Sequence, residues 1–202
     1  MTARTRTTLA DLDELPDDGQ RYELIDGEMI VTPAPSGPHN QVADRIQTAL
    51  DLAAPEGYVV LTGYQLHPPG ERRLIPDVSV IRSDAYRLLE ATEPPVVVVE
   101  VLSPSNAAVD LSGKMAAYAA FGVAHYWVAD PGTPAVAVLK LESSGRYSLA
   151  AEASGAWRLV VQEPFPVEVV PADLLRHRPI DAALEAHVDL PAAVRTALSL
   201  QA

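Results

Sequence analysis

The sequence predicts an α/β fold with a mixed central sheet, built on a helix, three strands, a second helix and a further strand. Three observations carry this expectation. Apolar residues recur at helical spacing in two segments, His39 to Ala54 and Asp110 to Phe121. The run Pro95-Val-Val-Val-Val-Glu-Val-Leu is dominated by β-branched valine, as in a strand covered on both faces. A strand-like segment, Ala124 to Ala129, follows the second helix, so that helix reads as a crossover and part of the sheet is parallel.

The elements follow in order. Residues 8–16 suggest a short helix stopped by Pro16. Tyr22-Glu-Leu-Ile and Glu28-Met-Ile-Val flank Asp26-Gly27, the strongest short hairpin signal, and predict an N-terminal β-hairpin. A rigid loop with Pro33, Pro35 and Pro38 leads into the first long helix, whose apolar positions are Val42, Ile46, Ala49, Leu50 and Ala53. Strands are expected over Tyr58–Leu66, Leu74–Ile81 and Val96–Leu102, with a short helix or loop over Ser83–Ala91. Gly122 ends the second long helix. Short alternating runs over 135–170, broken by Gly145 and Gly155, predict a C-terminal β-meander, and a helical tail follows Pro171, with another segment from Pro191.

A chain of 202 residues is long enough for one sizeable core, so a single domain over 1–202 is expected. It contains no cysteine, which excludes disulfides, thiolate metal sites and cysteine nucleophiles. A metal ion would be held by carboxylate, imidazole, carbonyl or water, hence a hard or borderline ion. The first residues include two arginines but no apolar stretch, and no run approaches the ~20 apolar residues that span a bilayer. A cytoplasmic location with no membrane partner is expected. The net charge of −12 argues against a protein that coats nucleic acid nonspecifically.

Glu100 interrupts the buried valine run. An ionised carboxylate there costs several kcal/mol unless it is paired or bound to a metal; a salt-bridged carboxylate near a strand end is the plainer alternative. Asp77 opens the preceding strand, Pro76-Asp-Val-Ser-Val-Ile, and sequential strands are usually neighbours. Two carboxylates side by side favour a hard cation between them, although Asp77 alone also reads as a turn or capping residue. Lys114, one of two lysines against thirteen arginines, falls on the flank of the apolar stripe Leu111, Met115, Tyr118. A lysine tucked toward a sheet calls for carboxylate partners, and an i,i+4 pair with Asp110 is compatible with that. Glu23 in the hairpin reads equally as an ordinary strand carboxylate, and His39 as a helix-start residue. Ser103-Pro-Ser-Asn suits a helix cap or a phosphate contact through backbone N–H groups. No glycine-rich phosphate loop, His-Glu-x-x-His or Gly-x-Ser-x-Gly is present.

Taken in order, Tyr22-Glu-Leu-Ile-Asp-Gly-Glu, the His39 helix start, Pro76-Asp-Val-Ser-Val, Val99-Glu-Val-Leu-Ser-Pro-Ser, Asp110-x-x-x-Lys114-x-x-x-Tyr118 and Gly122-Val-Ala-His-Tyr-Trp-Val-Ala-Asp-Pro resemble the Uma family. This is a bacterial "putative restriction endonuclease" group within the PD-(D/E)XK nuclease superfamily. The resemblance covers about residues 20–150 and implies a restriction-endonuclease-like α-β-β-β-α-β core, with the meander and helices beyond it. It implies that Asp77 and Glu100 ligate magnesium or manganese, with Glu23 as a further carboxylate. It makes Lys114 the catalytic lysine and DNA the substrate, cut by a homodimer; Tyr118, one turn on from Lys114, is placed to hold the lysine side chain. In the superfamily's Glu-x-Lys pattern the lysine would fall at 102, where this chain has Leu102; the family pattern moves it to the following helix. A catalytically silent binding or assembly module on the same fold is the rival reading. The acidic surface supports that rival, since residues 21–130 hold seven Lys/Arg against fourteen Asp/Glu. Arg72, Arg73, Arg82 and Arg87 would have to gather near the site to offset it.

Overall fold

The computed structural model describes residues 6–32, 34–87, 90–103, 107–175 and 192–199, with the backbone alone for 107–110 and 192–194. The chain begins with α1 (Leu9–Asp13), capped by a reciprocal Thr8–Asp11 box and burying Leu12. β1 (Arg21–Ile25) and β2 (Glu28–Thr32) form the expected hairpin. Asp26 and Gly27 turn it with φ of 52° and 88°, the left-handed pair that matches strand twist. α2 (Gly37–Ala53) starts at Ser36, whose hydroxyl accepts the His39 N–H, with Pro38 in the first turn.

β3 (Tyr58–Thr62) is shorter than its apolar run, because the chain turns at Gly63, φ 58°, before β4 (Gln65–Leu66). β5 (Arg72–Arg73) pairs with β1, not with the central sheet. The expected strand Leu74–Ile81 therefore splits. The Ile75 N–H goes to a carboxylate, Pro76 has none to give, and β6 (Val78–Arg82) starts only after Asp77. Between Ser83 and Ala91 the described residues form a turn and β7 (Glu90–Ala91), which lies parallel to β4. β8 (Val97–Val101), α3 (Ala107–Phe121) and β9 (His125–Asp130) make the crossover, with β8 and β9 parallel.

The meander divides. β10 (Ala135–Leu141) and β11 (Tyr147–Ser154) extend the central sheet, while β12 (Leu159–Val161) and β13 (Val167–Val169) pair apart from it. Pro171–Leu175 is a 3-10 turn, and α4 (Ala192–Ser199) packs on α3. The tail between them lies outside the described residues.

The six-stranded sheet runs β11-β10-β9-β8-β6-β3, antiparallel except at β8–β9. With the short strands set aside, α2-β3-β6-β8-α3-β9 is the expected core order. Alternation along β8 sorts its side chains: Val97, Val99 and Val101 join Val42, Ile46 and Leu50 of α2, while Val98 and Leu102 join Leu111, Met115 and Tyr118 of α3. Helices on both faces explain why every residue of β8 is buried, including its one carboxylate. α3 ends in a Schellman motif at Gly122, φ 95°, where Val123 N–H bonds Tyr118 C=O and Gly122 N–H bonds Ala119 C=O. No described helix is long and apolar enough to cross a membrane.

Candidate active site

The buried charges lie where the hairpin, α2 and α3 meet the ends of β6 and β8. Arg21 and Glu23, two apart on β1, face the same way. Pairing of β1 with β5 holds them against the loop before β6. There Glu23, with no exposed surface, accepts the Ile75 N–H at 2.8 Å. Arg21 Nη1 bonds Ile75 C=O at 3.1 Å and Asp77 Oδ1 at 2.8 Å.

Asp77, immediately before β6, and Glu100 of β8 are brought side by side by the register that pairs Val78 with Val99. Asp77 Oδ2 accepts the Val101 N–H at 2.8 Å, which ties it to the residue after Glu100. His39 Nε2 stands 3.2 Å from the same oxygen. Its place in the first turn of α2, fixed by the Ser36 cap, thus serves both the helix start and the site.

Glu100 faces α3. Lys114 Nζ donates to its two oxygens at 3.1 and 3.2 Å, and Tyr118 OH donates to Oε1 at 2.6 Å. Lys114 and Tyr118 are four residues apart, so they project from one side of the helix. Nζ is also 2.8 Å from Glu23 Oε2, an ion-pair contact off the hydrogen-bonding direction. The lysine thus bridges the hairpin and the central strand.

Burial and charge set the protonation. Burial raises the Glu100 carboxyl; Lys114 opposes this, but Asp77 and Glu23 add to it, leaving the group pushed up to about 7. Burial also works to raise Asp77, but His39 and then Arg21 outweigh it and hold that carboxyl down at about 2. Burial disfavours the Lys114 charge, yet Glu100 and Glu23 overcome it and the lysine moves up. Lys114 and Glu100 move the same way because the cation has two carboxylate partners, whereas Glu100 feels one cation against two anions. Two neighbouring carboxylates pushed in opposite directions are a common mark of a reactive site.

Of the residues singled out in sequence, the structure brings together Glu23, Asp77, Glu100, Lys114, His39 and Tyr118. The side chain of Asp110 lies outside the described residues, as do Pro104, Ser105 and Asn106; Ser103 is exposed. The four arginines named as a possible offset are each engaged by other groups, and only Arg73 lies beside the site. Arg72 pairs with Asp26, Arg73 with Asp13, Arg82 with Asp84 and Glu93, and Arg87 binds backbone carbonyls. The cation that sequence reasoning missed is Arg21. Its signal was the Arg21-x-Glu23 spacing, which places both side chains on one strand face.

Hard oxygen donors from Asp77 and Glu100 suit magnesium or manganese, and magnesium needs only one or two carboxylates because it keeps several waters. The upward push on Glu100 is what a cation would relieve. Among the described residues no three His, Asp or Glu side chains form a ready metal cage.

A crystal structure described as a "putative nuclease belonging to DUF820", from Anabaena variabilis, matches with a TM-score of 0.65 at 17% identity, covering 96% of this chain and 98% of that one. This likeness speaks for the fold. No curated protein matches the sequence significantly. The model of the Uma2 family, described as "Putative restriction endonuclease", matches residues 9–175. The chain belongs to the Uma2 family.

Proposed function

We propose that the site hydrolyses a phosphodiester bond of DNA, with a magnesium or manganese ion held by Asp77 and Glu100. The observation that carries this reading is the placement of two buried carboxylates side by side, one just before β6 and one on β8, the first held at about 2 and the second pushed to about 7, beside a buried lysine. When bound, the ion supplies a polarised phosphate and a coordinated water of lowered pKa.

The chain's own residues do the rest. Lys114, kept charged by Glu23 and Glu100, orients a water and offsets the charge that builds on the phosphate oxygens. Tyr118 fixes the Glu100 carboxylate through its 2.6 Å hydrogen bond. Glu23 anchors Lys114 from the hairpin side and locks the Ile75 backbone in front of Asp77. Arg21 and the Val101 N–H hold Asp77 in one orientation.

A second reading, a silent nuclease-fold module, draws on one observation: each carboxylate already has an internal cation, Asp77 with Arg21 and Glu100 with Lys114. The two readings separate in one experiment. Single-stranded and supercoiled circular DNA are incubated with magnesium and wild type, Asp77→Ala, Glu100→Ala or Lys114→Ala. Cleavage by wild type and its loss in all three variants supports hydrolysis. Equal activity in all four removes the site, and binding without cleavage by wild type favours the silent module.

A further inference from the structure

Beside the carboxylates, a cleft of about 330 Å³ opens between α1, the hairpin and the loop before β6. It shares two residues with the site. Arg21 and Ile75 both line it, and both are bonded to the buried acids on their inner side.

Arg21 is a clamped guanidinium. Its two Nη1 protons are used by Asp77 and the Ile75 carbonyl. Its Nε and Nη2 have no partner among the described residues, and the side chain is 25% exposed. Arg73 lines the same cleft. Its Nη2 is tied to Asp13, while its buried Nε has no hydrogen-bond partner among the described residues. Two arginines, each fixed at one end with donors to spare, suit a ligand with several acceptor oxygens, such as a phosphate. Tyr22 and Leu15 add apolar surface to the lining, of the kind a base packs against.

We propose that this cleft receives one unpaired nucleotide, phosphate and base together, next to the bond that is cut. The inference rests on the hydrolytic reading for the word "cut", but the binding does not need the metal. The size favours a single nucleotide, being near the lower end of ligand pockets, which start at about 300 Å³. The charge favours an unpaired strand over a duplex. A duplex presents one phosphate charge per about 1.7 Å of axis, and a chain of net charge −12 with its other central arginines already paired has little to set against it.

The test is fluorescence anisotropy of a short labelled oligothymidylate strand, in EDTA, with wild type, Arg73→Gln and Ala34→Trp. The first substitution removes a phosphate donor. The second puts a ring into the cleft lining from an exposed loop position and keeps the proposal testable if Arg73→Gln folds poorly. Each variant is expected to raise Kd about tenfold, the cost of one charge-assisted hydrogen bond or more. Arg73→Gln should also lower the log–log salt slope by about 0.7, which a purely structural change would leave alone. The same sequence as a duplex should bind more weakly. Absence of wild-type binding, wild-type affinity in both variants, or equal affinity for duplex would overturn the proposal. Cleavage that proceeds without cleft-dependent binding removes the cleft and keeps the hydrolytic reading. Cleft-dependent binding with no cleavage in magnesium does the reverse.

Discussion

Replacing Lys114 with methionine keeps most of the side-chain volume and deletes the charge between Glu23 and Glu100. Both carboxylates are then buried without their cation, and breaking a buried pair in this way costs about 3–5 kcal/mol. The cost depends on pH, and the sign follows from Glu100. In the wild type this group is raised from 4.5 to about 7. The folded state therefore holds a proton that the unfolded chain has lost, and stability falls as pH rises from 4.5 through 7. At about 1.36 kcal/mol per pH unit, that rise already represents about 3 kcal/mol. Lys114 is the cation that opposes it, so its removal moves Glu100 higher still and extends the loss above pH 7. Below pH 5 Glu100 is protonated and most of the penalty on it disappears. Lys114 itself adds no slope here: its folded pKa is raised above 10.5, so it is charged in both states throughout this range. Urea melts of wild type and Lys114→Met at pH 5 and pH 8, without metal, give the comparison. A difference of about 3 kcal/mol or more at pH 8, at least halved at pH 5, is expected. A difference that is the same at both pH values would refute the electrostatic account of this site.

Three further outcomes follow from the same geometry. Magnesium should raise the melting temperature of the wild type more at pH 8 than at pH 6, because Glu100 must release its proton first; calorimetry in buffers of different ionisation heat should show that proton, and no thermal shift at either pH would remove the donor set. Tyr118→Phe removes a 2.6 Å hydrogen bond to the buried carboxylate and should cost about 1–3 kcal/mol. It should also move the acidic limb of any pH–rate profile upward, whereas an unmoved limb would show that Tyr118 is only a packing residue. Gly122→Ala places a side chain at φ 95° with nothing closer than Pro94 at 3.8 Å, so it should cost about 1 kcal/mol or more by backbone strain alone, read from a chemical melt.

Much of the fold was legible because burial and periodicity act locally. The valine run around Glu100 could only be a doubly covered strand, and α3's phase put Lys114 and Tyr118 on the sheet side. The strand boundaries were less legible. Gly63 turns the chain by adopting a positive φ, and Ile75 spends its N–H on Glu23, a partner fifty-two residues away in sequence. Neither event leaves a periodic signal. Arg21 was missed for a related reason: its partner Asp77 is set by the docking of the hairpin, which is a long-range property. Whether Arg72, Arg73, Arg82 and Arg87 gather near the carboxylates could not be read from sequence at all, because the acidic group or carbonyl that engages each is chosen by the folded chain.

The placement of the lysine on α3 has a mechanical consequence. A lysine on β8 itself would be held by the sheet's own hydrogen-bond ladder. Here Leu102 occupies that strand position in the core, and Nζ is positioned by how far α3 lies along its own axis. The anchor for that coordinate is the Schellman turn at Gly122, two turns downstream, where the chain is fixed before it enters β9. Each residue of slippage there would carry Lys114 about 1.5 Å along the sheet, nearly half the length of its contact with Glu100. A single-residue insertion between Gly122 and His125 should therefore detune the site without touching any of its members, much as a shifted stop detunes a string.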